Sequence, residues 1–302
     1  MESINDYLES VFKRFKEYIE KHPKLCELKT VNYDRDAFPN YNHIHVQEDY
    51  LLRYAFAYAF EYKKMYDKIF GEALSVLPET IRILSIGCGN GIDYWAAAQV
   101  IDKIKPNIKI EYVGVDKCKW KYIPSSRKGD SFKIIHQDII DYLNANNRLN
   151  FNVIIFPKSI SEFNNQKMID LCREFEKARL NLPYFRMLFS LRENNDNLDA
   201  DLDKVDLIVE AFKNNSTRNL SPHKYKKYDW HLIGENGIKS YDRSFTYPEN
   251  ILSYLGNLHT NCQHYQNHGE PCVNCESNRL NRFPILNARH IRIKYVYMKE
   301  EK

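Results

Sequence analysis

The sequence lacks the features that would assign it to several specialised classes of protein. No apolar run approaches the ~18 to 20 residues that a membrane-spanning helix needs. The beginning of the chain, MESINDYLES, carries acids where a secretory signal would carry basic residues. The net charge of +4 is too small to demand a polyanionic partner. We therefore expect a cytoplasmic protein that does not enter a membrane, with its partners and oligomeric state left open.

The cysteines are informative for their number and distribution, and the glycines for their scarcity. The seven cysteines are odd in number and scattered, which does not fit a disulfide framework and fits a reducing compartment. Only ten glycines occur in 302 residues, yet Gly87, Gly89 and Gly91 stand at alternate positions. A composition with 28% charged and 43% apolar residues is otherwise ordinary for a globular protein.

The first 80 residues are predicted to form a helical cap. Apolar residues recur at helical spacing between Tyr7 and Ile19, and the pattern returns over 48–77. The polar stretch 31–42 is predicted to link the two helices. Four tyrosines recur at i, i+4 spacing in the second helix: Tyr50, Tyr54, Tyr58 and Tyr62. They indicate a packing face, and one of them could line a substrate pocket.

From residue 81 onward, short apolar runs alternate with helical patterns, which is typical of βα units and a mainly parallel sheet. Strands are predicted at 81–86, 110–115, 132–136, 151–156 and 184–191. Helices are predicted at 92–104, 138–146, 161–178 and 200–213. Residues 290–298 are predicted to form a last strand, antiparallel at or near an edge. The stretches 192–200 and 214–290 are expected to be irregular.

The three glycines follow a predicted buried strand directly and precede the helix at 92–104. Glycine allows a backbone to approach a ligand closely and to adopt positive φ. A dinucleotide fingerprint, G-x-G-x-x-G, would place its third glycine where Ile92 stands. The loop therefore favours a ligand site at the end of a strand, but not an NAD site. A tight turn without a ligand is the alternative.

With its G-x-G-x-G spacing, this segment resembles the class I S-adenosylmethionine-dependent methyltransferases. Three further motifs of that family follow in order, at 111–116, 134–138 and 151–157. The resemblance covers residues 81–191 well and the rest loosely. It implies an α/β fold with a doubly wound, seven-stranded, mainly parallel sheet, S-adenosylmethionine as the cofactor, and methyl transfer as the activity.

The resemblance also implies roles for individual residues. Asp116 would accept hydrogen bonds from both ribose hydroxyls, and Gln137 with Asp138 would frame the adenine. The predicted cofactor-binding set is Gly87, Cys88, Gly89, Asn90, Gly91, Asp93, Asp116, Lys117, Gln137, Asp138, Phe156 and Pro157. Three of these acids have structural alternatives. Asp116 and Asp138 could be helix N-caps, and Asp93 could either bind the methionine ammonium or complement a helix dipole.

The acceptor is predicted to lie beyond Pro157. Members of the resembled family that methylate amino groups of nucleic-acid bases often carry an Asn or Asp followed by Pro-Pro-aromatic at this place. No Asn or Asp precedes Pro157, so the resemblance counts against methylation of adenine N6 or cytosine N4. Lys158 and Ser159 are the predicted catalytic residues. Lys158 could orient an anionic acceptor, contact phosphate, or act as a base if desolvation lowers its pKa. The alternative is a surface lysine beside a helix that Ser159 or Ser161 caps. Methyl transfer can also proceed by alignment alone.

Cysteine and histidine crowd together late in the chain. The group consists of His259, Cys262, His264, His268, Cys272 and Cys275. Three thiolates and one imidazole make a closed tetrahedral zinc site, which stabilises a loop and performs no chemistry. We predict a structural zinc ion bound by Cys262, Cys272, Cys275 and either His264 or His268. Coincidental cysteines or a redox C-x-x-C are the alternatives.

Residues 213–230 mix basic and aromatic side chains, among them Arg218, Lys224, Tyr225 and Trp230. This mixture could bind single-stranded nucleic acid, although a solvated charged loop gives the same pattern. The sequence as a whole predicts a methyltransferase of unknown acceptor, organised as a cap over 1–80 and a catalytic domain over 81–302 with a zinc-stapled insertion at 214–290. The alternative is a non-catalytic module that docks on RNA or a protein complex.

Overall fold

The computed structural model describes residues 2–21, 41–73, 77–192, 198–228, 246–270, 284–286 and 291–301. Its helices are α1 Ile4–Lys21, α2 Ile44–Glu72, α3 Ile92–Ile104, α4 Ile139–Ala145, α5 Asn165–Lys177, α6 Leu198–Lys213, α7 Glu249–Gly256 and α8 Gln263–His268. Its strands are β1 Thr80–Ile86, β2 Lys109–Asp116, β3 Ser131–His136, β4 Arg148–Leu149, β5 Val153–Pro157, β6 Arg179–Leu180, β7 Tyr184–Arg192, β8 Leu220–Tyr228 and β9 Ile291–Glu300. Among these described helices, none has both the length and the apolar character that crossing a membrane requires.

Seven of the strands form one sheet in the order β3-β2-β1-β5-β7-β9-β8. The first five are parallel to one another, and β9 runs antiparallel between β7 and β8. The short strands β4 and β6 pair separately. The predicted α/β class with a seven-stranded, mainly parallel sheet is therefore confirmed. The last strand is antiparallel as predicted and lies one position in from the edge.

The prediction that 214–290 is irregular is wrong for the parts of that stretch that are described. It contains β8, α7, α8 and a 3-10 helix at Leu258–Asn261. Strand β8 was missed because Pro222 argues against a strand interior. An edge strand tolerates proline, since one row of its backbone groups has no strand to pair with, and the pairing of β8 with β9 shifts register between Pro222 and Lys224.

The chain groups into two compact units. The first comprises Met1–Phe60, Lys119–Ser125 and Gly234–Ala288, and the second comprises Glu61–Cys118, Ser126–Ile233 and Arg289–Lys302. The grouping divides α2 after Phe60, so this helix contributes to both. The domain limits predicted from the sequence, at residue 80 and at 214–290, stay a prediction.

In the first unit, α1 buries an apolar face that includes Leu8, Val11 and Phe15. The Gln47 side chain on α2 donates to the Lys119 carbonyl (3.0 Å) and accepts from the Lys121 backbone N–H (2.9 Å), which fastens the segment Lys119–Ser125 to the helix. The predicted tyrosine stripe packs ring on ring: the centroids are 5.1 Å apart for Tyr50 and Tyr54 and 5.8 Å apart for Tyr54 and Tyr58.

The second unit is built around the parallel sheet. All five residues of β5 are buried, as a central parallel strand covered on both faces requires. Helix α3 follows β1 and buries Ala96, Ala97 and Ala98, small residues that allow a helix to pack closely. This core fixes where the four parallel strands β1, β2, β5 and β7 end, and these ends carry the candidate site.

Candidate functional site

The carboxyl ends of neighbouring parallel strands lie along one edge of the sheet. Strand β1 runs into Gly87, β2 ends at Asp116, β5 runs into Lys158, and β7 passes Ser190 near its end. In open α/β sheets, ligands bind at this edge. The structure therefore brings together the glycine loop, the predicted ribose acid and the predicted acceptor-side lysine, as the sequence indicated.

The glycine loop is a tight turn that requires glycine for its own packing. Gly87, Gly89 and Gly91 have φ of 66°, 56° and 81°, a region that other residues adopt only at a cost. A Cβ on Gly87 would lie 2.4 Å from Ser159 Cβ, and one on Gly91 would lie 2.9 Å from Phe132 Cζ. Neighbouring side chains thus explain two of the glycines without a ligand, and they hold the loop in place for one.

Asp116 is fastened to the glycine loop by both of its carboxylate oxygens. The Gly89 backbone N–H donates to Oδ2 (2.7 Å), and the Cys118 backbone N–H donates to Oδ1 (2.7 Å). The next element after Asp116 is strand β3, and no helix begins in the described residues between the two strands, so the N-cap alternative is wrong. Asp116 is half-buried, and a carboxylate oxygen can accept more than one hydrogen bond.

Asp93 lies behind the loop and is completely buried. Its Oδ1 accepts a hydrogen bond from the Tyr112 hydroxyl (2.8 Å). Its Oδ2 and the Tyr66 hydroxyl are buried with no hydrogen-bond partner among the described residues. Desolvation raises the pKa of Asp93 to about 6, in opposition to the hydrogen bond from Tyr112. The predicted contact with the methionine ammonium stays a prediction for this buried carboxyl.

Asp138 is the N-cap of α4, so the structural alternative for this residue is confirmed. Its side chain accepts from the Ile140 backbone N–H (3.0 Å) and lies 3.0 Å from Lys167 Nζ and 3.2 Å from Lys117 Nζ. Burial opposes ionisation, but the Ile140 hydrogen bond and the two lysines lower the pKa of Asp138. The neighbouring Gln137 donates its backbone N–H to the Asp116 carbonyl (3.0 Å). The adenine contacts of this pair stay a prediction.

Several other predicted cofactor residues are buried in the second unit. Asn90 and Pro157 are buried, and burial raises the pKa of the Cys88 thiol. Phe156 is fully buried and stacks on Phe189, with ring centroids 5.0 Å apart. These side chains support the edge of the sheet from behind. Whether their backbone meets a cofactor stays a prediction.

Lys158 differs from a surface lysine, the structural alternative for this residue, in both its burial and its backbone conformation. Its side chain is 9% exposed, and its Nζ pairs with Glu61 Oε2 at 3.0 Å. The other Glu61 oxygen accepts a hydrogen bond from the Ser190 hydroxyl. Lys158 has φ of 58°, and among the described residues no other non-glycine residue has positive φ. The alternative of a solvated surface lysine is therefore wrong.

Glu61 and Ser190 are site residues that the sequence analysis missed. Ser190 belongs to β7, and the sequence analysis predicted this strand without assigning a role to any residue in it. Glu61 belongs to α2, where Phe60 and Tyr62 on either side of it are both buried. An acid between two buried aromatic residues was the signal that could have identified it, because isolated charges are rarely buried.

Ser159, which was predicted to be a catalytic residue, packs against the glycine loop at Gly87. It is buried, and its hydroxyl donates to the Ile86 carbonyl at the end of β1. It precedes a 3-10 helix at Ile160–Glu162 without a capping hydrogen bond. Helix α5 is capped by Asn164, whose Oδ1 accepts from the Lys167 backbone N–H (2.9 Å), so the prediction of Ser159 or Ser161 as its N-cap is wrong. A catalytic role for Ser159 stays a prediction.

Glu162 is an acid at this edge, the last residue of the 3-10 helix at Ile160–Glu162. The surrounding protein raises its pKa by desolvation and Asp116 raises it further, whereas Arg192 and Lys117 act in the opposite direction. Glu162 therefore stands within electrostatic reach both of the predicted ribose acid and of the end of β7.

The predicted zinc ligands fall partly outside the described residues. Cys272 and Cys275 are not among those residues. Cys262 is buried, and the rings of His264 and His268 lie 4.5 Å apart, centroid to centroid. Within the described ranges no group of three or more His, Cys, Asp or Glu side chains could hold a metal ion. The structure therefore does not show the zinc-stapled insertion.

No protein-family model matches the chain, and the search of curated proteins returns no relative. The chain is similar to solved structures of methyltransferases. One is an S-adenosylmethionine-dependent methyltransferase from Archaeoglobus fulgidus, with 13% identity and a TM-score of 0.38 over 79% of this chain and 94% of that chain. Another is the plantazolicin methyltransferase BpumL in complex with SAH, with 17% identity and a TM-score of 0.38 over 97% of this chain and 100% of that chain.

A third is the cyclopropane synthase MmaA2 from Mycobacterium tuberculosis, with 12% identity and a TM-score of 0.40 over 77% of this chain and 84% of that chain. The seven-stranded, mostly parallel sheet is by itself consistent with a class I methyltransferase fold, as the sequence motifs implied.

Proposed function

We propose that the protein is an S-adenosylmethionine-dependent methyltransferase that holds its cofactor beside the glycine loop and Asp116. One observation supports this proposal above the others: two backbone N–H groups hold the Asp116 carboxylate at the end of β2, directly beside a turn of three glycines. A fixed, half-buried carboxylate can accept two hydrogen bonds without reorganising, which suits the paired hydroxyls of a ribose.

The residues present fit this cofactor. Asp116 offers hydrogen-bond acceptors, and the edge of the sheet is where nucleotide ligands bind in such folds. Asp93 Oδ2, in the first turn of α3 directly after the loop, is buried with no hydrogen-bond partner among the residues that the structure describes. When bound, the cofactor supplies a methyl group on a sulfonium, which is a good electrophile. The protein then has to bind the acceptor, orient it towards the methyl group and exclude water. Alignment alone can contribute up to ~7 to 11 kcal/mol.

The experiment is calorimetric titration with S-adenosylmethionine. We expect Asp116→Ala to weaken binding by about tenfold to a hundredfold, because hydrogen bonds to charged groups contribute about 1.5 to 3 kcal/mol. Glu111→Ala, which removes an exposed acid from the same strand, is the matched control and should bind like the wild type. Equal affinity for both variants would remove Asp116 from the site, and no binding by the wild-type protein would overturn the proposed function.

The proposal includes a structural zinc ion bound by Cys262, Cys272, Cys275 and either His264 or His268. The spacing of the cysteines supports it, as does the proximity of the two histidine rings on α8. Elemental analysis of freshly reduced protein should find about one zinc ion per chain. Protein that folds and holds no metal would remove the zinc site from the proposal.

The alternative of a nucleic-acid or protein-docking module has no support in the described part of residues 213–230. Arg218, the basic residue in that segment whose contacts are best defined, pairs with Glu300 (2.5 Å) and donates to the Leu180 carbonyl (2.6 Å). It thus fastens β8 to the rest of the second unit. We therefore retain the enzyme as the proposed function.

A further inference from the structure

The ion pair of Lys158 and Glu61 is costly to build. Both side chains are nearly or completely buried, with exposures of 9% and 0%. Removing two charges from water costs several kcal/mol per ion, and well-packed apolar residues often stabilise a protein as much or more. Stability alone does not explain why this chain places a glutamate and a lysine here.

The backbone of Lys158 carries a second cost at the same place. A left-handed conformation costs a non-glycine residue about 1 to 2 kcal/mol. Its backbone N–H donates to the Ser190 carbonyl (3.1 Å), which holds the strained turn against β7. Strain of this kind persists where the surrounding structure enforces it, and it gathers at functional sites. Lys158 has this strain at the edge of the sheet where ligands bind.

The surroundings of the pair favour exchange of a proton. Desolvation raises the pKa of Glu61 and lowers the pKa of Lys158, although each charge stabilises the other. The Ser190 hydrogen bond and the positive charge of Arg192 stabilise the Glu61 carboxylate, and Arg192 also disfavours the Lys158 ammonium. The charged form and the uncharged form of the pair contain the same number of protons, so the lysine can become neutral without releasing a proton to water.

We propose that Lys158 Nζ accepts the proton that the acceptor loses on methylation, and that Glu61 is the positioning residue that sets the proton affinity of Lys158. The inference rests on the proposed function and specifies its acceptor class. The acceptor atom bears a proton, as in an amine, a hydroxyl or a thiol.

The step balances as follows. In the uncharged pair, Glu61 holds a proton and Lys158 Nζ carries a lone pair. The acceptor atom forms its bond to the methyl group with a lone pair, and the bond from the methyl group to the sulfonium sulfur would break with its electron pair left on sulfur. The acceptor's bond to hydrogen also breaks, that electron pair stays on the acceptor atom, and the proton binds Nζ. Glu61 then releases its proton to water and regains its charge beside the Lys158 ammonium. One proton enters solvent for each methyl group transferred.

The test is competitive acetylation of lysines with acetic anhydride over pH 6 to about 11, read for each lysine by peptide mass spectrometry; the upper limit exceeds the ordinary lysine pKa of about 10.4. It is carried out on the full chain without cofactor. Lys117, whose side chain is 57% exposed, is the internal reference for the reactivity of the reagent. The variants are Glu61→Gln, which removes the charge, and Ser190→Ala, which removes only the hydrogen bond to it. Folding of each variant is checked by circular dichroism.

We expect Lys158 in the wild-type protein to be labelled with a midpoint below the ordinary lysine value, because burial disfavours its ammonium form. Glu61→Gln should lower this midpoint further, because the lysine loses the negative charge that stabilises its ammonium. Ser190→Ala should shift it in the same direction by a smaller amount. This smaller change keeps the test decisive if Glu61→Gln does not fold.

Three results would overturn the inference. They are an ordinary midpoint for Lys158, a midpoint that neither variant changes, and a Lys158 that is never labelled, since an acceptor could not reach it either. Because the labelling needs no cofactor, these results are independent of the titration with S-adenosylmethionine. A protein that binds the cofactor and shows an ordinary Lys158 would keep the proposed function and lose this inference.

Discussion

The two halves of the sheet's carboxyl edge hold their charged groups in opposite ways. At the ends of β1 and β2, backbone N–H groups hold Asp116, which stays half-buried. At the ends of β5 and β7, a side chain from α2 holds Lys158, and both members of that pair are buried. The first arrangement suits a ligand that brings its own hydrogen-bond donors, since the carboxylate is already fixed. The second suits a group that changes its protonation state, since burial opposes both charges.

We expect the largest effect on stability from substitutions that break the ion pair of Lys158 and Glu61 in the second half. Lys158→Met and Glu61→Leu should each lower the free energy of unfolding by about 3 to 5 kcal/mol, because each leaves one uncompensated buried charge. The double variant should recover most of that loss. Urea unfolding at pH 7 gives all the values. Lys213→Met, which removes one partner of the exposed pair with Glu210, is the control and should cost no more than ~1 kcal/mol. If both single variants lose as little free energy of unfolding as the control does, the ion pair is not effectively buried, and the contrast between the two halves is contradicted.

The next effect concerns the rigidity of the first half. Gly91→Ala should cost about 3 kcal/mol, the sum of a left-handed backbone and a clash with Phe132. Gly129→Ala is the matched control, since Gly129 also has positive φ (92°) but a Cβ there would meet nothing within 4 Å. It should cost only about 1 kcal/mol. If thermal unfolding gives equal losses for both variants, packing against Phe132 does not fix the loop.

The smallest of the three effects depends on pH. The folded protein raises the pKa of Asp93 to about 6, so between the ordinary aspartate value and pH 6 the folded state binds more protons than the unfolded state. The stability that this group contributes is therefore present at low pH and lost as the pH rises through 6. Asp93→Asn should be more stable than the wild type by about 2 to 3 kcal/mol at pH 8, and this difference should vanish near pH 4. A difference that stays constant across that range would refute the assignment.

The parallel strands and the glycine loop could be predicted from the sequence because their signals are local. A buried strand, three glycines and a helix follow one another without interruption, and Asp116 stands directly at the end of the next strand. The contact between Glu61 and Lys158 could not be predicted in this way. It joins a helix and a strand far apart in sequence, and an isolated acid in a helix is usually solvated.

Local sequence signals gave wrong predictions where the same pattern is compatible with two different structures. Ser159 and Ser161 have the chemistry of an N-cap, but Asn164 takes that position because a 3-10 helix at Ile160–Glu162 comes first. Pro222 hid β8, since a proline that excludes a central strand is acceptable at an edge. In both cases the tertiary setting, which one sequence does not contain, decided between the alternatives.

The position of β9 has a consequence for how the sheet assembles. Strand β8 is joined to the sheet through β9, and β9 pairs with β7, which precedes it by a long stretch of chain. Pairings between distant segments form slowly, because a large loop must close before any contact is gained. Strands β1, β2 and β3 are separated by much shorter connections. We therefore expect the half of the edge around Asp116 to gain protection from hydrogen exchange early in refolding, and the half around Lys158 to gain it last.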